Sequence, residues 1–238
     1  PSKIRYTILR SQLNLCYDLP HDWQFKIADS VDEYEQAFKM LYKNYREVGL
    51  QAENNIGIRI PKYNLVPGST VIVVKIQDQV IATVTLLVDS AFGLPADVAS
   101  NLEGFRSENK RIGEISALAI DSRYQKLKGK LLFALTKFMY QYAREFLKVD
   151  TLVAGTKDRV SDFYRGILLF KPLTERPVNY EFGNSQAIAF HSLDVTEAEE
   201  NSFDLYSKKP MNTNIYNYYH AHRFGDNLMF QKLIFERS

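Results

Sequence analysis

The sequence predicts an α/β fold in which one mixed β-sheet is flanked by helices. Segments with strand character alternate with segments of helical period, in the order β-α-β-β-β-α-β-α-β-β. A chain of 238 residues with 45% hydrophobic content can also bury one substantial core. We therefore expect an N-terminal arm over residues 1–24, a main domain over 25–195 and a C-terminal extension over 196–238 that packs on the core.

The first predicted elements are a strand and a long helix. FKIAD at 25–29 has strand character, and Ser30 with Glu33 then forms a capping box whose side chains can satisfy free N–H groups at a helix start. Apolar residues at three- and four-residue steps extend this helix to near Gly49. The polar segment 51–69 predicts a long loop, and such loops often cover functional sites.

A hairpin and a second loop follow. The apolar segments 69–77 and 80–89 are joined at Asp78-Gln79, which is typical of two antiparallel strands. Residues 90–110 combine turn residues with charges and predict a loop with room for one short helix.

The segment 111–120 is the most informative in the chain. It predicts a strand that carries one acidic residue, Glu114, in an otherwise apolar run, and it leads through a basic turn into a helix. The first N–H groups of a helix lack partners and face the positive end of its dipole, so this helix start suits a phosphate.

The remaining elements complete the sheet. TLVAGT at 151–156 predicts a short buried strand, and Asp158 is expected to cap a helix that runs through Ile167. Residues 178–195 predict a hairpin around Gly183-Asn184. The last segment is rich in aromatic and aliphatic side chains, which would be costly to leave in water.

Composition narrows the functional classes. The net charge of +2 does not indicate a nucleic-acid-binding protein. The single cysteine, Cys16, excludes an internal disulfide and any site with several cysteine ligands, and the histidines show no metal-binding spacing. No apolar run approaches the roughly 20 residues that span a bilayer. We expect a cytoplasmic protein without a tightly bound cofactor or metal.

Several motifs resemble a known family. DSAFGLPADV (89–98), Glu103 with Phe105-Arg106, EISALAI (114–120) and FYRGILLF (163–170) resemble the long-chain N-acyl amino acid synthases. This family is related to the acyl-homoserine-lactone synthases and belongs to the GNAT superfamily. The resemblance covers roughly residues 25–195.

The resemblance implies a fold and a reaction. The fold is a GNAT sheet that splays between its two central parallel strands. The reaction transfers a fatty acyl group from acyl carrier protein to the α-amine of an amino acid, and tyrosine is the acceptor that we expect. Any membrane association would come through the lipid-like product alone.

The turn after the central strand departs from the pattern of coenzyme A users. A CoA-dependent GNAT enzyme has a glycine-rich turn here, whereas residues 123–130 contain one glycine, Gly129, among bulky side chains. The basic residues suit a single phosphate and an acidic protein surface instead, which favours the carrier protein as donor. Leu169 likewise replaces a glycine of the GNAT pattern.

Three residues are candidates for chemistry. Glu114 can act as base or position the amine, since burial raises a carboxyl pKa; alternatively it pairs with an arginine such as Arg111, or faces water. By resemblance, Tyr164 protonates the leaving thiolate, unless it is only a packed aromatic. Arg46 can clamp the substrate carboxylate or be a solvated cation at a helix end.

The remaining predicted site residues form two groups. The substrate-binding group is Arg46, Arg111, Ser116, Ala117, Leu118, Ala154, Gly155, Phe163 and Ile167. The group for the phosphopantetheine arm and the carrier protein is Ala119, Ile120, Arg123, Lys126, Lys128, Gly129 and Lys130. The splayed strands with Phe163 and Ile167 are expected to wall a tunnel for the acyl chain.

Other functions remain open at this stage. The chain could be a CoA-dependent N-acetyltransferase, a synthase of acyl-homoserine-lactone signals, or a non-catalytic module that binds acyl groups, because a fold alone does not fix function. No Ser-His-Asp or Cys-His pattern is visible, so we expect direct transfer without an acyl-enzyme.

Overall fold

The computed structural model describes residues 2–98, 102–181 and 185–221. Within them, eight strands form one sheet in the order β1-β2-β3-β4-β5-β8-β6, and β7 pairs with β8. The strands are β1 (Trp23–Ile27), β2 (Ser69–Ile76), β3 (Gln79–Val88), β4 (Ile112–Ile120), β5 (Thr151–Lys157), β6 (Lys171–Pro172), β7 (Val178–Glu181) and β8 (Ser185–Asp194). The helices are α1 (Ser2–Ser11), α2 (Val31–Glu47), α3 (Glu103–Ser107), α4 (Lys128–Gln141), α5 (Asp158–Gly166) and α6 (Val195–Tyr206).

Only the β4–β5 pair of this sheet is parallel, among the pairs that the described residues form. Alternation along β2 assigns the two faces: Val71 and Val73 pack with residues of α2, whereas Ile72 and Val74 pack with residues of α4. Both faces of the central strands are therefore covered by helices, which explains why these strands are apolar nearly throughout. The mixed α/β fold with a splayed sheet is confirmed.

Several boundaries differ from the sequence prediction. β1 lies two residues earlier than 25–29, and part of the arm forms α1, whose Arg10 Nε donates to the Gly166 carbonyl at 2.8 Å. Lys157, not Asp158, is the N-cap of α5; Asp158 is the first helical residue. Helix propensity alone does not distinguish these adjacent positions.

Other local predictions are confirmed in detail. The Ser30 hydroxyl accepts from the Glu33 N–H at 3.3 Å, and Glu33 Oε2 accepts from the Asp29 N–H at 3.1 Å. The hairpin 178–195 forms, with Glu181 opposite Ser185; its turn lies outside the described residues. The loop 51–69 contains a 3₁₀ turn at Lys62–Leu65 and is tied to the sheet by Asn64, whose Nδ2 donates to Thr85 Oγ1 at 3.0 Å.

The segment after β8 packs against the α4 face of the sheet. Tyr206, Ile215 and Tyr218 are buried there, and the Tyr206 hydroxyl donates to the Ile167 carbonyl at 2.9 Å. The segment DNLMFQKLIFER at 226–237, whose sequence predicts a helix, lies outside the described residues. Within the described part of the chain, no helix is both long enough and apolar enough to cross a membrane.

Candidate active site

The central strands separate where β4 carries a bulge. β4 and β5 pair from Ile112 opposite Thr151 to Ile115 opposite Ala154, and no further. Beyond this point β4 has one residue more than β3, and Ala117 takes a left-handed φ of 53°. The bulge bends β4 away from β5, and a cavity of about 650 Å³ opens between the strands.

This cavity collects many of the predicted site residues. Those that line it are Glu114, Ser116, Ala117, Leu118, Ala119, Ile120, Lys128, Gly155, Phe163 and Tyr164. Lining residues that sequence reasoning missed include Asn44, Tyr45, Glu47, Gln125, Thr156, Lys157, Arg159 and Phe190. The cavity thus runs from the end of α2 across the splayed strands to the starts of α4 and α5.

Glu114 lies at the inner end of the strand separation. It pairs with Leu87 on one side and Val153 on the other, and it is only 4% exposed. Its Oε2 accepts a hydrogen bond of 2.8 Å from the Ala96 backbone N–H. Burial raises the pKa of Glu114 to about 8, the Ala96 N–H opposes this rise, and the negative charge of Asp97 adds to it.

The Ala96 N–H is held in place by the short turn at Pro95–Val98. Asp97 accepts from the Leu94 N–H at 2.7 Å, and Arg106 Nη2 donates to the same carboxylate at 2.8 Å. Arg106 Nε also donates a hydrogen bond of 2.7 Å to Asp89 Oδ2. Gly93 takes a φ of 67°, and a Cβ there would lie 2.7 Å from Asp97 Oδ2. The DSAFGLPADV motif and Arg106 therefore form the support of Glu114.

The raised pKa of Glu114 predicts how the free energy of unfolding depends on pH. A carboxyl whose pKa is higher in the folded state stabilises the fold fully below its unfolded value near 4.5, and this contribution is lost as pH rises through about 8. Glu114→Gln stays neutral and can still accept from Ala96. We expect it to raise the free energy of unfolding by about 3 kcal/mol at pH 7 and by little below pH 4.5, measured by urea unfolding.

Glu33→Gln is the matched control for this prediction. Glu33 is also buried, and burial alone would raise its pKa, but Lys75, Lys26 and the Asp29 N–H lower it to about 2. Its contribution is present above pH 4.5 and is lost as pH falls through 2, so the control should destabilise the protein at pH 7. Destabilisation at neutral pH by both variants would contradict a neutral, buried Glu114.

Tyr164 lies on the opposite wall of the cavity, on α5. Its ring stacks on His191 with centroids 6.0 Å apart and meets Phe170 edge-on at 5.3 Å. Burial, together with the neighbouring Tyr45, raises the pKa of Tyr164 to about 12. The phenol therefore keeps its proton at neutral pH and can donate a hydrogen bond into the cavity.

A buried polar cluster lies beside Tyr164. His191 Nε2 is 3.1 Å from Thr156 Oγ1 and 3.2 Å from Ser161 Oγ, and Thr156 lines the cavity. Burial lowers the pKa of His191, so the ring is neutral at pH 7. Sequence spacing gave no sign of this cluster, because its members come from β5, α5 and β8.

Four residues of the predicted substrate-binding group lie outside the cavity lining. Arg46 is exposed outside the cavity lining and forms an ion pair with Glu53 at 3.5 Å. Arg111 is exposed before the first residue of β4, on the far side of Glu114 from the cavity, where its backbone N–H donates to Asp150. Ala154 and Ile167 are buried behind the lining residues. Cations that do line the cavity are Lys128, Lys157 and Arg159.

The basic residues of the turn at 123–130 lie in different surroundings. The Arg123 guanidinium binds its neighbour Asp121, with Nε 3.0 Å from Oδ2, and faces a separate hollow beside α2. Lys130 lies over the Trp23 ring, 5.8 Å from its centroid. Lys126 and Gly129 are exposed and outside the cavity lining. Of this turn's predicted cluster, Lys128 alone lines the cavity.

Gly155 and Leu169 lie where a close neighbour or a positive φ restricts the choice of residue. A Cβ at Gly155 would lie 2.8 Å from Phe190 Cε1, so glycine lets this ring pack against the strand at the cavity wall. Leu169 takes a φ of 64°, the left-handed geometry that glycine adopts freely. Leu169 therefore adopts a backbone geometry that a glycine at this position would adopt without strain.

Comparisons with known proteins address the fold and the family of the chain. The family model for N-acyl amino acid synthase FeeM matches residues 36–192. The structure of FeeM, an N-acyl amino acid synthase from uncultured soil microbes, superposes with a TM-score of 0.63 at 20% identity, covering 75% of this chain and 93% of FeeM. No curated protein sequence matches the chain.

Acyl-homoserine-lactone synthases share the fold. LasI superposes with a TM-score of 0.55 at 14% identity over 73% of this chain and 90% of LasI. BjaI, described as a CoA-dependent synthase, gives 0.52 at 12% over 72% and 80%. These likenesses establish the fold, while the family model extends over more than half of the sequence. The chain therefore belongs to the FeeM family of N-acyl amino acid synthases.

Proposed function

We propose that the enzyme transfers a long-chain fatty acyl group from the phosphopantetheine thioester of acyl carrier protein to the α-amine of L-tyrosine. The observation that carries this proposal is Glu114, a buried carboxyl of raised pKa at the point where the strands separate. A base at this place is required because an ammonium cannot attack a thioester. The reaction would take place in the cytoplasm, where Cys16 stays reduced.

The chemistry follows from the position of Glu114. The Glu114 carboxylate takes one proton from the ammonium, and the free amine attacks the thioester carbon. The C–N bond forms and the C–S bond breaks. The nitrogen loses a second proton as the amide forms, and the departing thiolate gains a proton and leaves as a thiol. Tyr164 can donate a hydrogen bond to the departing sulfur. Cys16 lies outside the cavity lining, which supports direct transfer.

The part of the cavity near the starts of α4 and α5 favours acyl carrier protein as the donor. α4 continues from a 3₁₀ segment at Ser122–Leu127, and the Lys128 N–H donates to the Gln125 carbonyl, so the attraction for a phosphate comes from side-chain charge. Lys128, Lys157 and Arg159 add positive charge around the same cavity, which suits the phosphate of the arm and the acidic surface of its carrier. Coenzyme A is the alternative donor, since the neighbour BjaI is described as CoA-dependent.

Reversing the charge of two cations that line the cavity tests which donor the enzyme uses. Lys128→Glu with Arg159→Glu should raise the KM for dodecanoyl carrier protein roughly tenfold or more at low salt and leave the KM for tyrosine nearly unchanged, because only the protein donor is steered by long-range charge. Added salt should weaken the wild-type donor interaction in the same way. Initial rates with each substrate varied in turn measure both constants.

Lys39→Glu is the control for the reversal. Lys39 is exposed, pairs with Glu35 and lies outside the cavity lining, so the donor KM should move little. Dodecanoyl-CoA is run alongside the carrier protein. Equal kcat/KM for the two donors would contradict the carrier assignment, and mass spectrometry of products formed from all twenty amino acids would show whether tyrosine is the acceptor.

A further inference from the structure

Three buried polar side chains that have no part in the proposed proton transfers meet at the wall of the cavity. They are Thr156 on β5, Ser161 on α5 and His191 on β8, and each is less than a tenth exposed. His191 Nε2 is 3.1 Å from Thr156 Oγ1 and 3.2 Å from Ser161 Oγ, and the two hydroxyl oxygens are 3.4 Å apart. Of these three side chains, only Thr156 lines the cavity.

The surroundings of His191 decide which ring nitrogen carries the proton. Nδ1 is buried, and no group of the described residues lies within hydrogen-bonding distance of it. A buried N–H without an acceptor is costly, so the proton of the neutral ring belongs on Nε2, which faces two hydroxyl oxygens. Nε2–H therefore donates to these hydroxyls and accepts from neither.

The hydrogens of this cluster leave one for the cavity. Thr156 Oγ1 can accept from His191 Nε2–H and from the Ser161 hydroxyl, since a hydroxyl oxygen has two lone pairs. The Thr156 hydrogen can then point into the cavity, which Thr156 lines. Hydrogen bonds that a hydroxyl accepts strengthen the one that it donates. Thr156 is thus a preoriented, polarised donor at the cavity wall.

His191 also contacts a second hydroxyl-bearing residue of this wall. The rings of Tyr164 and His191 are nearly parallel, with an interplanar angle of 13° and centroids 6.0 Å apart. Thr156 lies two residues beyond Ala154, the last residue of β5 that pairs with β4, so it borders the gap between the separated strands. One imidazole therefore holds two donors beside the strand separation.

We infer that Thr156 is a catalytic residue whose hydroxyl donates a hydrogen bond to the carbonyl oxygen of the acyl thioester, and that His191 positions this hydroxyl. The inference rests on the proposed function, in which the amine attacks the carbon of that carbonyl. Negative charge gathers on the carbonyl oxygen as the C–N bond forms, and a donor that is already in place stabilises it. Tyr164 serves the sulfur that leaves the same carbon, so the two donors act on neighbouring atoms.

Thr156→Val tests the donor, because valine keeps the shape of the side chain and removes the hydroxyl. We expect kcat to fall about 10²–10³-fold, the range seen when one oxyanion donor is lost, while the KM for tyrosine changes little. Thr156→Ser restores a hydroxyl and should recover most of the rate. Thr151→Val is the matched control: Thr151 is buried on the same strand but lies outside the cavity lining, so kcat should stay unchanged.

His191→Phe tests the positioning role, because it removes Nε2–H and keeps a flat ring against Tyr164. It should lower kcat about tenfold in the wild-type background, which corresponds to one hydrogen bond, and should lower it no further in the Thr156→Val background. His191→Gln can place an N–H near the position of Nε2 and should recover part of the rate. Equal losses in both backgrounds would overturn the positioning role.

Infrared spectroscopy measures the hydrogen bond without turnover. Dodecanoyl-pantetheine carrying ¹³C at its carbonyl is bound in the absence of an acceptor, and its C=O band should lie at lower frequency in the wild-type enzyme than in Thr156→Val. His191→Phe should shift the band in the same direction as Thr156→Val, so the test does not depend on the folding of one variant.

The outcomes separate this inference from the proposed function. The same C=O band in the wild-type enzyme and in the variants would overturn the hydrogen bond from Thr156. A band that responds to the variants, without acyl transfer to any amino acid, would overturn the proposed reaction and leave the hydrogen bond standing.

Discussion

Glu114→Gln is expected to lower kcat about 10²–10⁴-fold at neutral pH, the usual range when a general base is lost. Glutamine keeps the size of the side chain and can accept from the Ala96 N–H, so the surroundings of residue 114 stay in place. The variant is also expected to be the more stable protein at pH 7, so lost activity cannot be ascribed to unfolding. Initial rates at saturating donor and acceptor measure the effect.

The pH dependence separates a base from a merely structural carboxyl. With a pKa of about 8, about one tenth of Glu114 is ionised at pH 7. The ratio of wild-type to variant rate should therefore rise with pH up to about 8. It should fall at higher pH, where the substrate amine deprotonates unaided and the variant partly recovers.

Glu47→Gln is the matched control for the base. Glu47 also lines the cavity, but it is exposed at the end of α2. Its replacement should change kcat little and leave the shape of the pH profile intact. A Glu114→Gln enzyme with wild-type rate, or two variants with the same pH profile, would move the base to another group.

The strands and helices that position the site were predictable because their patterns are local. The capping residues Ser30 and Glu33 fix the start of α2, and the polar pair Asp78-Gln79 marks the turn between β2 and β3. Glu114 stands out in the sequence because it is the one acidic residue within the apolar run of β4. Each of these inferences needs only neighbours within about ten residues in the chain.

The bulge at Ala117 could not be predicted in the same way. Alanine has no preference for a positive φ, so nothing in ISALAI indicates the residue that turns β4 away from β5. The sequence resemblance implied a splayed sheet, but the physical cause of the separation is visible only in the pairing of β4 with β3.

The direction of side chains accounts for the remaining differences. Arg46 ends a helix and was expected to face the substrate, yet it lies outside the cavity lining and pairs with Glu53, while Tyr45, one residue earlier, lines the cavity. Successive side chains of a helix point about 100° apart. The sequence alone does not fix which of two neighbouring residues at a helix end faces a cavity. The Ala96 N–H, which donates to Glu114, is a backbone group and leaves no mark in the sequence.

Shortening the donor from dodecanoyl to butanoyl carrier protein is expected to lower kcat/KM by roughly 10⁴-fold. Eight methylenes at about 0.8 kcal/mol each give about 6 kcal/mol when all are buried, and this falls on kcat/KM because the chain must bind before the thioester reaches Glu114. Walls of the kind required are present, since Leu118, Leu132, Phe163 and Phe190 line the main cavity. Competition between the two donors in one reaction, with products separated by mass, measures the ratio directly. Equal use of both donors would mean that the acyl chain stays in solvent, and the space between the splayed strands would then hold the pantetheine arm alone.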